Sequence, residues 1–400
     1  MEPLFAGVSN NAHHLYTLLS CIGFASKATV QITPGGLRFS AEEARVMQGL
    51  AFLDKSLFTS YTFNNPPTEN THPDQNGDDD DDNNSSDNSN WPHFVVSLSA
   101  ILETLKIFGL NELSESDPSG NTRPQQNNTA SSSAFNTPAL LLDRTCTLQY
   151  AQHGAPLSIT LTEAGVVTTC ELNTYEPEED YADIPLQREA IIMKIIMRST
   201  WLHNAIAELD SSTPTILKLS ACATREPYFA LSGAGGPFSE STVEFSIDTH
   251  NEVTGGATGQ SQGGQQQSQT QAHHKILTDD GSSRPRATRA KLAPTVTETF
   301  LVSPPSAMGE RIQQSYRFAL VRKAARAMAV ANKVSIRGDR QGVLSLQFMI
   351  ELDEQGVAVG RSVGAGVKTA AVGTVCFVDF RFVPLLDEED AEEDVLMAGE

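Results

Sequence analysis

The sequence holds little of what marks secreted, membrane-spanning or zinc-binding proteins. Its five cysteines, Cys21, Cys146, Cys170, Cys222 and Cys376, are odd in number, scattered and never in CxxC spacing. That argues against a zinc ribbon or a disulfide framework and points to reduced thiols in an intracellular protein. No apolar run approaches the roughly 20 residues that cross a bilayer. No apolar stretch follows basic residues at the N-terminus, so a signal peptide is not expected. Bases are also scarce: 28 Lys and Arg stand against 49 Asp and Glu, for a net charge of −21.

That charge disfavours nucleic acid only if it is spread evenly, and it is not. Residues 64–93 hold eight acids and no Lys or Arg, five of them in the run Asp78 to Asp82. Residues 384–400 hold eight more acids without a base, and 171–183 hold six. The rest of the chain carries a small positive balance. The Asn/Asp-rich 64–93, the Ser/Asn/Pro-rich 111–138 and the Gly/Gln-rich 249–275 read as solvated insertions with too little apolar surface to offset the cost of ordering. The acidic tail 384–400 joins them.

Between the insertions the pattern is helix, strands, helix, strands, performed twice. A helix over about 10–22 places Leu15, Leu18, Leu19 and Ile22 on one face, with Ser9 or Asn10 as N-cap. The hairpin Ala28–Thr33 and Leu37–Ser40 turns through Pro34-Gly35-Gly36. Phe94–Leu98 reads as a strand leading into a helix with Ile101, Leu102, Leu105 and Phe108 on one face, ending near Gly109. Strands follow at about 140–151, 157–163 and 166–174. The second half repeats this with a helix near 199–209, strands at 215–222, 227–232 and 241–247, and a helix at about 315–331. Strands at 333–337, 343–351 and 374–383 close it.

The chemically informative element is the helix at 315–331. Phe318, Val321, Ala325 and Met328 fall on one side, and Arg322, Lys323 and Arg326 on the other, with Lys333 shortly after. From Arg311 to Arg340 there are eight bases and a single acid, Asp339. Such a face suits phosphate contact that carries no sequence information. A solvated helix face is the competing reading, and the absence of balancing acids favours DNA. Catalytic groupings are weak. Gly259-Gln-Ser261-Gln-Gly263 matches GxSxG only formally, inside low complexity and without a strand before it. Gly233-Ala-Gly235-Gly236 lacks the Lys and helix of a phosphate loop and reads as a hairpin turn. The adjacent pairs His13-His14 and His273-His274 do not share a helix face, so joint metal binding is not expected.

Several segments together resemble a known family. They are Gly165–Glu179, Ala205–Asp210, Glu226–Ser232, Lys333–Arg337 and, most closely, Gln341–Ile350. In this order and spacing they resemble the Rad-one-type subunits of the nine-one-one DNA-damage checkpoint clamps. The resemblance spans nearly all of the folded part and skips the insertions. It implies an α+β sliding-clamp fold like that of proliferating cell nuclear antigen. Two domains, each made of two βαβββ units, would put helices around a hole and sheets outside. The expected organisation is a first domain over 1–174, a connector over 175–187, a second domain over 188–383 and the acidic tail. The implied protein is a nuclear, non-enzymatic subunit of a heterotrimer with Rad-nine and Hus-one type partners. An ATP-driven loader would place it on double-stranded DNA, where it serves checkpoint and repair proteins, with no cofactor, metal or membrane.

On this resemblance Arg322, Lys323, Arg326 and Lys333 face phosphates, joined by Lys106, Lys194 and Arg198. The strands Val166–Asn173 and Thr242–Ile247 would be the edges that pair with neighbouring subunits. They carry Val166, Val167, Thr168, Cys170 and Leu172 on one side, and Val243, Phe245 and Ile247 on the other. Tyr175, Tyr181 and Ile184 mark the connector, which is more acidic than those that dock apolar peptides. His13 and His14 stand where clamps often carry lysines. A metal-dependent exonuclease and a replicative homotrimeric clamp are the alternative functions.

Overall fold

The computed structural model describes residues 2–64, 91–107, 144–163, 165–177, 182–237, 240–245, 274–277, 283–285, 297–306, 309–352 and 374–385. They form two compact units: residues 1–183 with 350–378, and residues 184–349 with 379–400. Most of the expected insertions and tail lie outside the described residues. Their borders do not: His93 opens a strand, and Trp91 packs edge-on against Phe63 at 5.8 Å.

The first unit runs β1 (Phe5–Ser9), α1 (Ala12–Cys21), β2 (Lys27–Thr33), β3 (Gly36–Glu43), β4 (Met47–Asp54) and β5 (Ser60–Phe63). It continues with β6 (His93–Ser97), α2 (Leu98–Lys106), β7 (Thr145–Tyr150), β8 (Leu157–Glu163), β9 (Val166–Leu172) and β10 (Thr174–Tyr175). Two antiparallel sheets result, in the orders β5-β1-β7-β8-β9 and β10-β6-β2-β3-β4. α1 starts where the Asn11 side chain accepts from His13 N at 3.1 Å. α2 starts where Ser97 Oγ accepts from Ala100 N at 3.3 Å. These caps satisfy amide groups that a helix start leaves unpaired. The two helices pack on each other, burying Leu15, Leu18 and Leu19 from α1 and Leu98, Ile101 and Leu105 from α2. The β2–β3 turn requires glycine at Gly36, where φ is +153° and an added Cβ would lie 2.3 Å from Leu53 O.

The second unit repeats the order. β11 (Ile191–Arg198), α3 (Ser199–Asp210), β12 (Ile216–Cys222), β13 (Phe229–Ala234) and β14 (Ser241–Phe245) are followed by β15 (His274–Leu277), β16 (Ser283–Pro285) and β17 (Thr297–Val302). Then come β18 (Arg311–Arg317), α4 (Phe318–Arg322), α5 (Ala325–Val330), β19 (Lys333–Asp339), β20 (Leu344–Leu352) and β21 (Thr374–Phe382). One sheet has the order β16-β15-β14-β13-β12-β18. The other holds β20-β19-β11-β17, with β21 beside β20. α3 lies against α5 and against β11, β13, β14 and β19. Among the described residues the βαβββ order therefore occurs four times, twice per unit, counting α4 and α5 as one interrupted helix.

Two sequence expectations need correction, and others fall on residues outside the described set. β1, β4, β5 and β11 were not legible. β4 is buried along both faces but for Phe52 and Asp54, and β11 interrupts its apolar run only at Lys194 and Arg198, so neither shows the regular alternation of a half-exposed strand. The helix expected at 315–331 begins only at Phe318. Ser315, Tyr316 and Arg317 extend β18, opposite Lys218, Leu217 and Ile216 of β12, and the Tyr316 hydroxyl donates to Gly342 O at 2.8 Å. The remaining helix breaks at Lys323 and Ala324. Finally, Phe108, Gly109, Tyr181 and Ile247, together with 259–263, lie outside the described residues.

Candidate nucleic-acid interface and subunit edges

The basic residues named from sequence separate into two sets. Arg322, Lys323 and Arg326 lie on the α4–α5 helix, whose other side buries Phe318, Val321, Ala324, Ala327 and Met328. That apolar side is what orients the cations outwards, since burying it stabilises by about 1.5–3 kcal/mol per large side chain. Lys106 ends α2 of the first unit. Lys194, Arg198 and Lys333 belong to strands. Lys194 lies opposite Arg337, and Arg198 opposite Lys333, across the β11–β19 pair. Directly opposed residues share a sheet face, and neighbours along a strand alternate. Met193, Ile195 and Met197 are buried on the face that meets α3. Lys194 therefore occupies the helix-free face, whereas Arg198 and Lys333, of the same pleat, stand at the strand ends next to α3 and α5, where Arg198 reaches back towards Trp201. Pleat thus separates Lys194 from Arg322, Lys323 and Arg326.

The helix cations are also less unopposed than the sequence suggests. Arg322 Nη1 meets Asp210 Oδ1 at 3.0 Å, where α3 ends. Lys106 pairs with Glu103 at 2.8 Å, and Lys333 with Glu298 at 2.8 Å. Arg198 sits over the Trp201 ring at 5.3 Å. Exposed pairs of this kind contribute about 0–1 kcal/mol, so an incoming phosphate can compete for the cation. Asp210 and Glu298 are remote in sequence, which is why a local charge count missed them.

The two expected edges differ. β9 ends its sheet, paired with β8 alone among the described residues. Val166 and Val167 are 65% and 63% exposed, while Thr168, Cys170 and Leu172 are half-buried. β14 is not an edge: β15 pairs with it in parallel, Thr242 opposite His274. Val243 and Phe245 are buried against α3, with the Phe245 ring tilted against Phe229 at 4.8 Å between centroids. Their side chains are core, because the alternating face of β14 points inwards. The expectation that these two present an interface is corrected accordingly.

The connector is anchored at both described ends. Tyr175 pairs with Val95 of β6, is exposed, and lies under Lys27 Nζ at 5.3 Å. Asp183 forms an ion pair with Arg38 and accepts from Gln48 Nε2 at 2.8 Å. Ile184 is buried, and its carbonyl accepts from Arg381 Nη1 at 2.6 Å. Asp183 thus has a structural partner, which a solvated linker would lack. Among the described residues no three His, Cys, Asp or Glu side chains are grouped as metal ligands would be.

Four βαβββ units, two in each compact unit with their helices packed on each other, define the sliding-clamp fold. Proliferating cell nuclear antigens share it. The structure from Thermococcus kodakaraensis matches with TM-score 0.50 and 12% identity over 95% of this chain and 100% of that one. The Entamoeba histolytica protein gives 0.52 and 10%, over 96% and 100%. Within that fold class, the chain belongs to the family described as Repair protein Rad1/Rec1/Rad17, which matches residues 4–350. Relatives include the DNA damage checkpoint control protein rad1 of Schizosaccharomyces pombe, 29% identical over 94% of this chain and 86% of its own length. The human cell cycle checkpoint protein RAD1 is 25% identical, over 96% and 92%. The DNA repair exonuclease REC1 of Mycosarcoma maydis is 27% identical over 58% of this chain and 44% of its own.

Proposed function

We propose that this chain is one subunit of a heterotrimeric ring that encircles double-stranded DNA in the nucleus and acts in the DNA-damage checkpoint without catalysing a reaction itself. The carrying observation is the β9 edge, which leaves backbone donors and acceptors and two exposed valines for a strand of a neighbouring subunit. Unpaired edges invite pairing with another chain, and ring closure hides them. Partners of Rad-nine and Hus-one type supply the other subunits, an ATP-driven loader opens the ring, and repair and signalling proteins dock outside. Lys106, Arg322, Lys323 and Arg326 face DNA from the helices. Retention is topological, so these contacts are loose and salt-sensitive. Arg198 and Lys333, at the strand ends beside these helices, extend that surface, and Lys194 is left out of it.

The native mass of the purified chain, alone and with both partners, tests this. A chain that joins a one-to-one-to-one ring supports it, a homotrimer formed alone points to a replicative clamp, and indifference to both partners overturns it. A relative named as an exonuclease favours one second reading, metal-dependent DNA digestion. Magnesium- or manganese-dependent release of nucleotides by the pure chain, abolished with the variant lacking the responsible carboxylate, would establish that activity.

A further inference from the structure

The second unit carries a groove that DNA encirclement does not use. It has a volume of about 480 Å³ and is lined by Arg188, Ile191, Lys194, Leu301, Ser303 and Arg337 among others, with no carboxylate in its lining. Lys194 lies opposite both Leu301 and Arg337 across its neighbouring strands, so all three project from the helix-free face. Leu301 is 60% exposed, an apolar contact without cover among the described residues. Arg337 is mostly buried, and its Nε has no hydrogen-bond partner. Its Nη2 donates to Ser345 Oγ at 2.8 Å and reaches Asp379 Oδ1 at 3.4 Å. Asp379 also serves Arg381 at 3.2 Å. Burial pushes the Arg337 pKa down, Asp379 opposes that shift, and Arg188 and Arg381 add to it. Among the described residues Asp379 is the carboxylate that pairs with both Arg337 and Arg381, while Arg188 adds a further positive charge beside Arg337.

The occupant with matching chemistry is in the same chain. Residues 386–400, outside the described set, carry seven acids between Asp387 and Asp394, followed by Val395-Leu396-Met397. The last described residues lie at the β19–β20 turn, and β19 carries Arg337 of the groove wall. Leu385 N donates to Ser315 O at 2.7 Å, and Pro384 lies against Gly342 at the β19–β20 turn. That turn begins at Asp339, which lies opposite Ile191 of the groove wall. Fifteen residues in extended form reach about 50 Å, whereas Asp339 at the turn and Arg337 of the groove wall are two residues apart on β19, about 7 Å. We propose that Asp387–Asp394 docks in the Arg188–Lys194–Arg337 groove, with Val395–Met397 covering Leu301. The docked segment screens a cationic sheet face from DNA phosphates, leaving the helix face as the surface that meets nucleic acid.

Zero-length carbodiimide coupling on the full chain reads this directly, because it joins a lysine amine to a carboxylate in contact. The expected product links Lys194 to a carboxylate within 387–394, in a yield independent of protein concentration. It disappears in Lys194→Arg and falls several-fold in Arg188→Ala. In a second measurement, a chain ending at Leu385 binds a fluorescein-labelled peptide of residues 386–400 at least tenfold more tightly than the full chain does. Lys194→Ala in the shortened chain weakens that binding. Tail carboxylates linked to other lysines but not Lys194, or equal peptide binding by both chains, overturns the proposal. A link whose yield rises with concentration places the tail in a neighbouring copy and overturns it too. So does an unrelated peptide of equal charge that binds as tightly, since the groove would then take acidic partners in general. None of these readouts needs a ring, so failure of the clamp reading leaves them intact.

Discussion

β9 and β14 each close a βαβββ unit, and both mix valine, threonine and glutamate with a larger apolar residue. Yet Val166 and Val167 of β9 are 65% and 63% exposed, while Val243 and Phe245 of β14 are 1% and 0% exposed. β9 has one neighbour strand among the described residues, and β14 has two and a helix across it. Sequence resemblance marks both as edges, but only the neighbours decide which side chains remain for a partner. A strand's composition reports that it sits on a pleated surface, not what covers that surface.

The largest expected effect separates the two strands by stability. Phe245→Ala removes a buried ring packed at a tilt on Phe229 and is expected to cost about 3–5 kcal/mol in denaturant unfolding. Val167→Ala is expected to stay within about 0.5 kcal/mol, as exposed substitutions usually do. Comparable losses at both positions would break the contrast. Thiol labelling sharpens it within one sheet. Burial pushes the Cys146 thiol up to about 12, so only about one part in ten thousand is thiolate at pH 8. Half-buried Cys170 on β9 is expected to react at least about a hundredfold faster in the native chain, as measured by mass-resolved alkylation. Cys146 reacting first would contradict the burial order.

At the assembly level, Val166→Lys with Val167→Lys is expected to leave unfolding unchanged. It should weaken association with the neighbouring subunit at least tenfold, about 1.4 kcal/mol, in native mass titrations. Unchanged association would remove β9 from the interface. The smallest effect concerns DNA. Lys323→Glu with Arg326→Glu should lower the slope of log affinity against log salt by about two. Lys194→Glu should leave that slope where it was, because the residue is on the other sheet face. A loss at Lys194 equal to that at Arg326 would mean that pleat parity does not separate the two sets.

How much was legible follows from the range of each signal. α1, α2 and α3 were readable because Leu15, Leu18 and Leu19, or Leu202, Ile206 and Leu209, repeat within one or two turns. The β2–β3 hairpin was readable from its Pro-Gly-Gly turn. β4 and β11 were not, since their long apolar runs leave too few polar positions to show alternation. The basic patch on α4–α5 was visible, but Asp210 opposing Arg322 was not, being 112 residues away in the chain. Lys194 was grouped with the helix cations because sequence carries charge but not the side of a sheet.

By itself, then, the sequence determined the segregation of acids from the folded units, the repeated alternation of helices and strands, and the family. Each rests on composition or on periodicity over a few residues. Only the tertiary structure decided that β14 is covered while β9 is open, and that Lys194 lies on the other sheet face from the helix bases. It alone placed Arg188, Lys194 and Arg337 around one groove. Those facts depend on pairings between strands far apart in the chain, and burial and sidedness are properties of the pairings rather than of the residues.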